Sequence, residues 1–334
     1  MPLHVTYTGG TIGMVDSPRG LVPGADLEGW LTRLLEGTDL ADGLTFSSLD
    51  PLIDSSNATP ESWQQVVDDV RAHTHGPHAA AGLVILHGTD TMAYTSAALS
   101  YALTDLGRPV VITGSQLPAL SPGSDAAANA IGALQAAGDP RAAGVSLFFG
   151  HHLLVGSRVT KTSAWSFEAF SSPAHPPLAR AGAPWQWSAT PRTGEGWQQP
   201  LPYRRHDVAV IDVAPGLTTA RLEAMLTPLP EAVILRAFGV GNVPSSEPGL
   251  PELIASVTAA GTAVVVASQC LEARVSLGLY ETGDAMARAG AVGSGDMTLE
   301  AVYAKVQFLL SQGLRGAELA AWVGRPLAGE LTRG

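Results

Sequence analysis

The sequence predicts an α/β protein: a large N-terminal domain on a doubly wound, mostly parallel sheet, then a smaller C-terminal α/β domain. Three observations predict it. Short apolar runs alternate with longer amphipathic ones along most of the chain. Those runs carry few polar residues, as expected for parallel strands covered by helices on both faces. The alternation loosens once, between about Ser171 and Arg205, and then resumes. Repeated strand–helix–strand units imply right-handed crossovers.

Taken in order, His4–Tyr7 reads as a strand entering a glycine turn. Leu83–Leu86 (LVIL) is a short buried strand followed by a helix over Thr91–Leu106. Val110–Thr113 (VVIT) is the next strand, Asp125–Ala137 the next helix, and Val145–Phe149 closes the series. The stretch SSPAHPPL, GAPWQW and TPRTGEGWQQPLPYRR is rich in Pro, Gly and Trp, as suits an ordered linker or surface crossover. Beyond it, Val208–Val213, Ala232–Phe238 and Ala263–Ser268 read as strands. Thr219–Leu226, Leu250–Ala260 and Leu299–Gln312 read as helices. The expected division is 1–190, a linker at 191–207, and 208–334.

Composition excludes several classes. Only 15% of the 334 residues are charged, against roughly 25% in ordinary soluble domains, which excludes disorder of the high-charge type. The net charge of −11 argues against a nucleic-acid partner, which requires a basic surface. Cys270 is the sole cysteine, so neither an intramolecular disulfide nor a cysteine-based zinc site is available. MPLHVTYTGG lacks a basic segment followed by an apolar one, so no signal peptide is read. No apolar run is long enough to span a membrane. A cytoplasmic protein is expected.

Three segments can carry chemistry. Thr8-Gly9-Gly10-Thr11-Ile12-Gly13 follows the first strand, where open α/β sheets bind ligands. Its glycines allow close backbone approach, and Thr11 offers a hydroxyl nucleophile or a structural cap. The spacing is neither G-x-G-x-x-G nor a Walker loop, so a nucleotide cofactor is not expected. His87-Gly88-Thr89-Asp90-Thr91-Met92 lies at a second strand–helix junction. Asp90 and Thr91 either cap the following helix, or Asp90 grips an ammonium group beside a second hydroxyl. The third segment is Val159-Thr160-Lys161-Thr162. Only Lys161 and Lys305 are lysines among 19 basic residues. Lysine can release a proton in a dry setting whereas arginine effectively cannot, so Lys161 is a candidate base beside two threonines. Lys305, within a helix, reads as a surface or capping charge. The histidines of HTHGPH (His73, His75, His78) read as a solvated loop rather than metal ligands, and His151 and His152 as pointing to opposite faces. Trp185 and Trp187 share a face and suit anchoring of the linker, and Cys270 reads as a small buried hydrophobe.

Together these segments resemble the bacterial-type L-asparaginase (asparaginase/glutaminase) family, in its cytoplasmic type I branch. TGGTIG and HGTDTM carry the resemblance, with DSSNATPESW, TGSQLP, GVGN, SQC and AGAVGSGDMTLEAVYAKVQFLLSQ in family order from about residue 4 to 332. The resemblance implies hydrolysis of L-asparagine to aspartate and ammonia without cofactor or metal, in a homodimer or tetramer. It matches Thr11 to the nucleophile and Thr89, Asp90 and Lys161 to a second catalytic group. Ser55 matches the serine that holds the substrate α-carboxylate, flanked by Ser56, with Gly88, Thr89 and Asp90 also lining the substrate. Asn242 matches a residue contributed across the dimer interface, and Ser268, Gln269 and Cys270 match an allosteric asparagine site. One departure stands out. The family usually carries a loop tyrosine where Leu21 stands here, and Tyr280 matches a later tyrosine that would replace it. The missing loop tyrosine supports an alternative: a non-catalytic asparagine or aspartate sensor retaining the pocket.

Overall fold

The computed structural model describes residues 1–18, 20–76, 79–188, 194–244, 246–277 and 281–332. The chain divides into two compact units, Met1–Pro191 and Arg192–Gly334.

The first unit contains, in order, β1 (Leu3–Tyr7), β2 (Met14–Ser17), β3 (Gly20–Pro23), α1 (Leu27–Leu35), β4 (Thr45–Ser48) and α2 (Pro60–Thr74). There follow β5 (Gly82–Leu86), α3 (Met92–Ala102), β6 (Pro109–Thr113), α4 (Ala126–Ala137), β7 (Gly144–Phe149) and β8 (His152–Val155). Four short strands complete it: β9 (Thr160–Lys161), β10 (Phe170–Ser171), β11 (Ala179–Arg180) and β12 (Gln186–Trp187). The main sheet has the order β12-β11-β8-β7-β6-β5-β1-β4. From β4 to β7 all neighbours are parallel. Every residue of β1, β5 and β6 is buried, as expected of parallel strands with helices against both faces, including the polar His4 and Thr6 of β1. Helix α3 is buried nearly all round and has small residues (Ala93, Ala97, Ala98) at its contacts.

The strand order places the site. The chain leaves β1 to one side for β4 and returns to the other side for β5. The β1/β5 boundary is therefore the topological switch point, where crossovers part to opposite faces and leave a crevice at the carboxyl ends.

Three sequence expectations are corrected in this unit. The helix after β5 stops at Ala102, not Leu106, giving way to a turn before Gly107 in the left-handed region. Strand β7 does not close the series: antiparallel β8 pairs with it, and β11 and β12 extend the edge from within the stretch read as linker. Residue pairs this short carry too little periodicity to be seen. His73 lies on α2 rather than in a loop. Trp185 and Trp187 stack at 5.9 Å between ring centroids, and Trp185 reaches Phe148 at 5.6 Å, so they pin this edge as their spacing suggests.

The second unit holds β13 (Val208–Asp212), α5 (Thr219–Met225), β14 (Ala232–Ala237), α6 (Leu250–Ala259), β15 (Ala263–Ser268), α7 (Glu281–Arg288), β16 (Val292–Gly293), α8 (Leu299–Ser311) and α9 (Gly316–Val323). Its sheet order is β13-β14-β15-β16, all parallel. Lys305 corrects another expectation: it is fully buried, not a surface charge. Its Nζ donates to Glu330 Oε1 (2.6 Å), Val323 O (2.8 Å) and Arg325 O (2.6 Å). Glu330, equally buried, accepts from the Leu327 and Ala328 N–H groups. The pair thus clasps the chain after α9. Cys270 is exposed rather than buried, because it follows the end of β15.

Candidate active site

Two neighbouring parallel strands deliver the first two motifs side by side. Thr8 N–H and Oγ1–H both donate to Leu86 O (2.9 and 3.0 Å), so the chain leaving β1 stays fastened to the end of β5. Gly9 and Gly10 then turn with φ of 130° and 96°, in the region that favours glycine. A Cβ on Gly10 would collide with the backbone of Gly88, and one on Gly88 would collide with Ser55 and press on Gly10. The segments around Gly10, Gly88 and Ser55 therefore meet with no room for a methyl group between them.

Thr11 opens the one-turn helix Thr11–Gly13 and is half-buried. No side chain caps that turn, and Thr11 Oγ1 has no hydrogen-bond partner among the described residues. The capping role left open by the sequence is thus not the one it plays. The same holds at the second motif. Thr91 precedes α3, but its hydroxyl donates to Ser55 O (2.7 Å) instead of capping the helix. Asp90 does not cap either: its carboxylate faces Lys161.

Lys161 lies on β9, held by antiparallel pairing to Phe170 on β10. Its Nζ donates to Thr89 Oγ1 (3.0 Å) and to Asp90 Oδ1 (2.8 Å). Thr89 is buried, Lys161 is half-buried, and the Asp90 side chain is 68% exposed. A hydroxyl, an amine and a carboxylate thus form a continuous chain from the interior to the solvent.

Ser55 is buried and Ser56 is exposed. Ser56 Oγ and N–H both donate to Asp54 Oδ1, and Asn57 Nδ2 donates to Asp54 Oδ2. The Ser56 hydrogen bonds hold the Asp54 carboxyl below its ordinary pKa. Ser56 therefore shapes the loop that presents Ser55. Asn242 lies in the second unit, where its N–H donates to Phe238 O at 2.8 Å. Tyr280 lies outside the described residues. Leu21 sits exposed on β3, opposite Asp16.

Sequence reasoning missed the supports. Asp125 accepts from the N–H groups of Gln116 and Leu117 (3.0 and 3.2 Å) and from Asn129 Nδ2 (3.0 Å). Asn129 also donates to Gly114 O at 2.9 Å. This network shapes the TGSQLP loop, whose continuation ties to the Thr11–Gly13 turn through Ala119 N–H to Ile12 O (3.0 Å). The signal was an aspartate and an asparagine four residues apart in an otherwise alanine-rich run.

One cluster has metal-ligand composition. Atoms of His4, Asp69 and His73 lie within 4.8 Å of one another. The two imidazoles, however, stack at 3.6 Å and 12°. Parallel rings aim their in-plane lone pairs along parallel planes, which do not converge on one ion. Both His4 nitrogens already face hydroxyls, Thr45 Oγ1 at 2.7 Å and Ser47 Oγ at 2.9 Å.

Known proteins resemble this chain in sequence and fold. The family model described as "Asparaginase, N-terminal" matches residues 2–192, and "Glutaminase/Asparaginase C-terminal domain" matches 207–323. L-asparaginase 1 of Escherichia coli is 40% identical over 99% of this chain and 98% of that protein. The crystal structure of L-asparaginase I from Vibrio cholerae superposes with a TM-score of 0.86 at 38% identity, covering 99% of both chains. The thermostable L-asparaginase from Thermococcus kodakarensis gives 0.85 at 31% identity over the full length of both. These relatives carry enzyme names, and nothing among them supports the sensor alternative. From the glycine turn after β1 to the end of α9, this chain belongs to the asparaginase family.

Proposed function

We propose that this protein is an L-asparagine amidohydrolase with Thr11 as nucleophile. The observation that carries the proposal is the chain Thr89–Lys161–Asp90 beside the glycine turn that holds Thr11. A neutral hydroxyl is a poor nucleophile until a neighbouring group takes its proton. Thr11 Oγ1 attacks the side-chain carboxamide carbon, and strand-end N–H groups stabilise the oxyanion. The proton passes to the departing amine, ammonia leaves, and an acyl-enzyme remains. Water then attacks that ester, its proton relayed through Thr89 and Lys161 to Asp90; the acyl C–O bond breaks, aspartate is released, and the proton returns to the Thr11 oxygen.

Asp90 binds the substrate ammonium, and Ser55 its α-carboxylate. Ser56 and Gly88 shape the pocket, Tyr280 assists Thr11 in place of the absent loop tyrosine, and Asn242 comes from a second subunit of a homodimer or tetramer. The working division stays 1–190, 191–207 and 208–334, in a cytoplasmic protein. No helix among the described residues is long and apolar enough to cross a membrane.

The test is ammonia release from L-asparagine. Wild type releases it, and Thr11→Ala and Lys161→Met each lower kcat by about 10²–10⁴. Thermal stability changes little in Lys161→Met, because a pair as exposed as Lys161–Asp90 contributes under about 1 kcal/mol. Tight asparagine binding without ammonia from wild type, or full activity of Thr11→Ala, overturns the proposal.

A further inference from the structure

The turn that carries Ser55 is tied mostly to itself. The Asp54 carboxylate accepts from Ser56 and Asn57, the Asn57 N–H donates to Asp54 O (2.9 Å), and the Ala58 N–H donates to Ser55 O (3.2 Å). Just upstream, Ile53 N–H donates to Thr8 O (2.6 Å) and anchors the entering chain to the end of β1. Among the described residues, one hydrogen bond joins residues 54–58 to another part of the chain: the Thr91 hydroxyl to Ser55 O, at 2.7 Å. Thr91 is itself held, because its carbonyl accepts from the Thr95 N–H (3.0 Å) as α3 begins. A self-contained turn is thus fastened to the start of a helix by a single side chain.

One short stretch meets Ser55 from two sides. At Gly88, the Ser55 Oγ and Cβ fill the space that a Cβ would take. At Thr91, three residues on, the hydroxyl holds the Ser55 carbonyl. Between them stands Thr89, which carries the bond to Lys161. The two contacts act in opposite senses. Packing against Gly88 limits how closely Ser55 approaches Thr89, whereas the directional hydrogen bond from Thr91 limits how far it retreats. Ser55 Oγ makes no hydrogen bond to any described residue, so its position depends on how its backbone is held.

We infer that Thr91 is a positioning residue: through the Ser55 carbonyl it fixes the distance between the group that grips the substrate α-carboxylate and the centre where the amide reacts. This rests on the amide-hydrolysis reading above, in which Ser55 holds that carboxylate. The α-carboxylate takes no part in the bond changes, so its grip is as strong in the ground state as in the transition state. Loosening it raises KM and spares kcat.

The experiment measures kcat and KM for L-asparagine in wild type, Thr91→Val and Thr91→Ser, with thermal unfolding of each and with L-aspartate binding by calorimetry. Thr91→Val keeps the side-chain shape and removes the donor. It raises KM by about 5–20-fold with kcat within threefold, and it weakens L-aspartate binding by the same factor. Thr91→Ser keeps the hydroxyl and holds KM within threefold of wild type. A Thr91→Val enzyme with KM within twofold of wild type overturns the inference, as does one whose kcat falls as much as its KM rises. So does a folded Thr91→Ser no better than Thr91→Val. Should Thr91→Val not fold, Thr91→Ala takes its place, and an unchanged KM there decides against the inference. Absence of turnover in wild type counts instead against the amide-hydrolysis reading. In that case the L-aspartate affinities, which need no turnover, still decide whether Thr91 holds Ser55 in place for a carboxylate.

Discussion

Replacing Lys305 with methionine is the most direct test of how the second unit is closed. The side chain is similar in volume, but its charge and three donated hydrogen bonds disappear. Glu330 is left fully buried without a cation. Its remaining partners are the N–H groups of Leu327 and Ala328, which solvate a carboxylate in part but do not neutralise it. Val323 O and Arg325 O lose their donor as well. Breaking such a pair from one side costs about 3–5 kcal/mol, mostly as the penalty on the abandoned charge. At about 2–4 °C per kcal/mol, the thermal midpoint falls by roughly 6–20 °C. The double variant Lys305→Met/Glu330→Leu removes both charges and loses less than half as much, since an apolar pair of similar volume is no worse than a buried ion pair. Urea and thermal unfolding of the full chain measure both. A single variant within about 0.5 kcal/mol of wild type refutes the reasoning, as does a double variant worse than the single one. Burial lowers the Lys305 pKa against the pull of Glu330, which is the same penalty seen from the other partner.

Two further outcomes are expected. Gly10 and Gly20 share a φ of 96°, but only Gly10 faces backbone, while space beside Gly20 is open. Gly20→Ala therefore costs only the backbone strain of about 1–3 kcal/mol, whereas Gly10→Ala costs more and abolishes ammonia release; equal unfolding midpoints would contradict the close packing of Gly10 on Gly88. His4 is held at a pKa of about 4 by burial first and by neighbouring His73 second, with Asp69 opposing. Between pH 6.5 and about 4 the unfolded chain binds a proton that the native His4 refuses, so stability falls as pH falls through that window. A His4→Asn variant flattens the slope of unfolding midpoint against pH there, and parallel slopes in the two proteins would exclude His4 as a source.

Much of the sheet was legible because strands buried on both faces leave uninterrupted apolar runs, as in LVIL and VVIT. The edge was not. Two-residue strands such as Ala179–Arg180 are set by what they lie against, not by a period of their own. At the site, Thr89, Asp90 and Lys161 were identified from residue type and motif, and the structure joins them by direct hydrogen bonds. What residue type could not reveal was the work of neighbours. Thr91 looks like a cap in sequence because threonine before an apolar helix usually is one, yet its hydroxyl is drawn to Ser55 O. Lys305 looked exposed because lysine usually is, and its partner stands 25 positions away.

The 68% exposure of Asp90 makes its contact with Lys161 electrostatically soft. Two opposite charges about 4 Å apart attract by roughly 1 kcal/mol in water and roughly 4 kcal/mol at the effective dielectric of a protein surface. An occupant that covers the carboxylate displaces water and so tightens the amine–carboxylate contact behind it. In the mechanism proposed above, the ligand serves as insulation for the circuit it is about to use, and the proton path is strongest only while something is there to react.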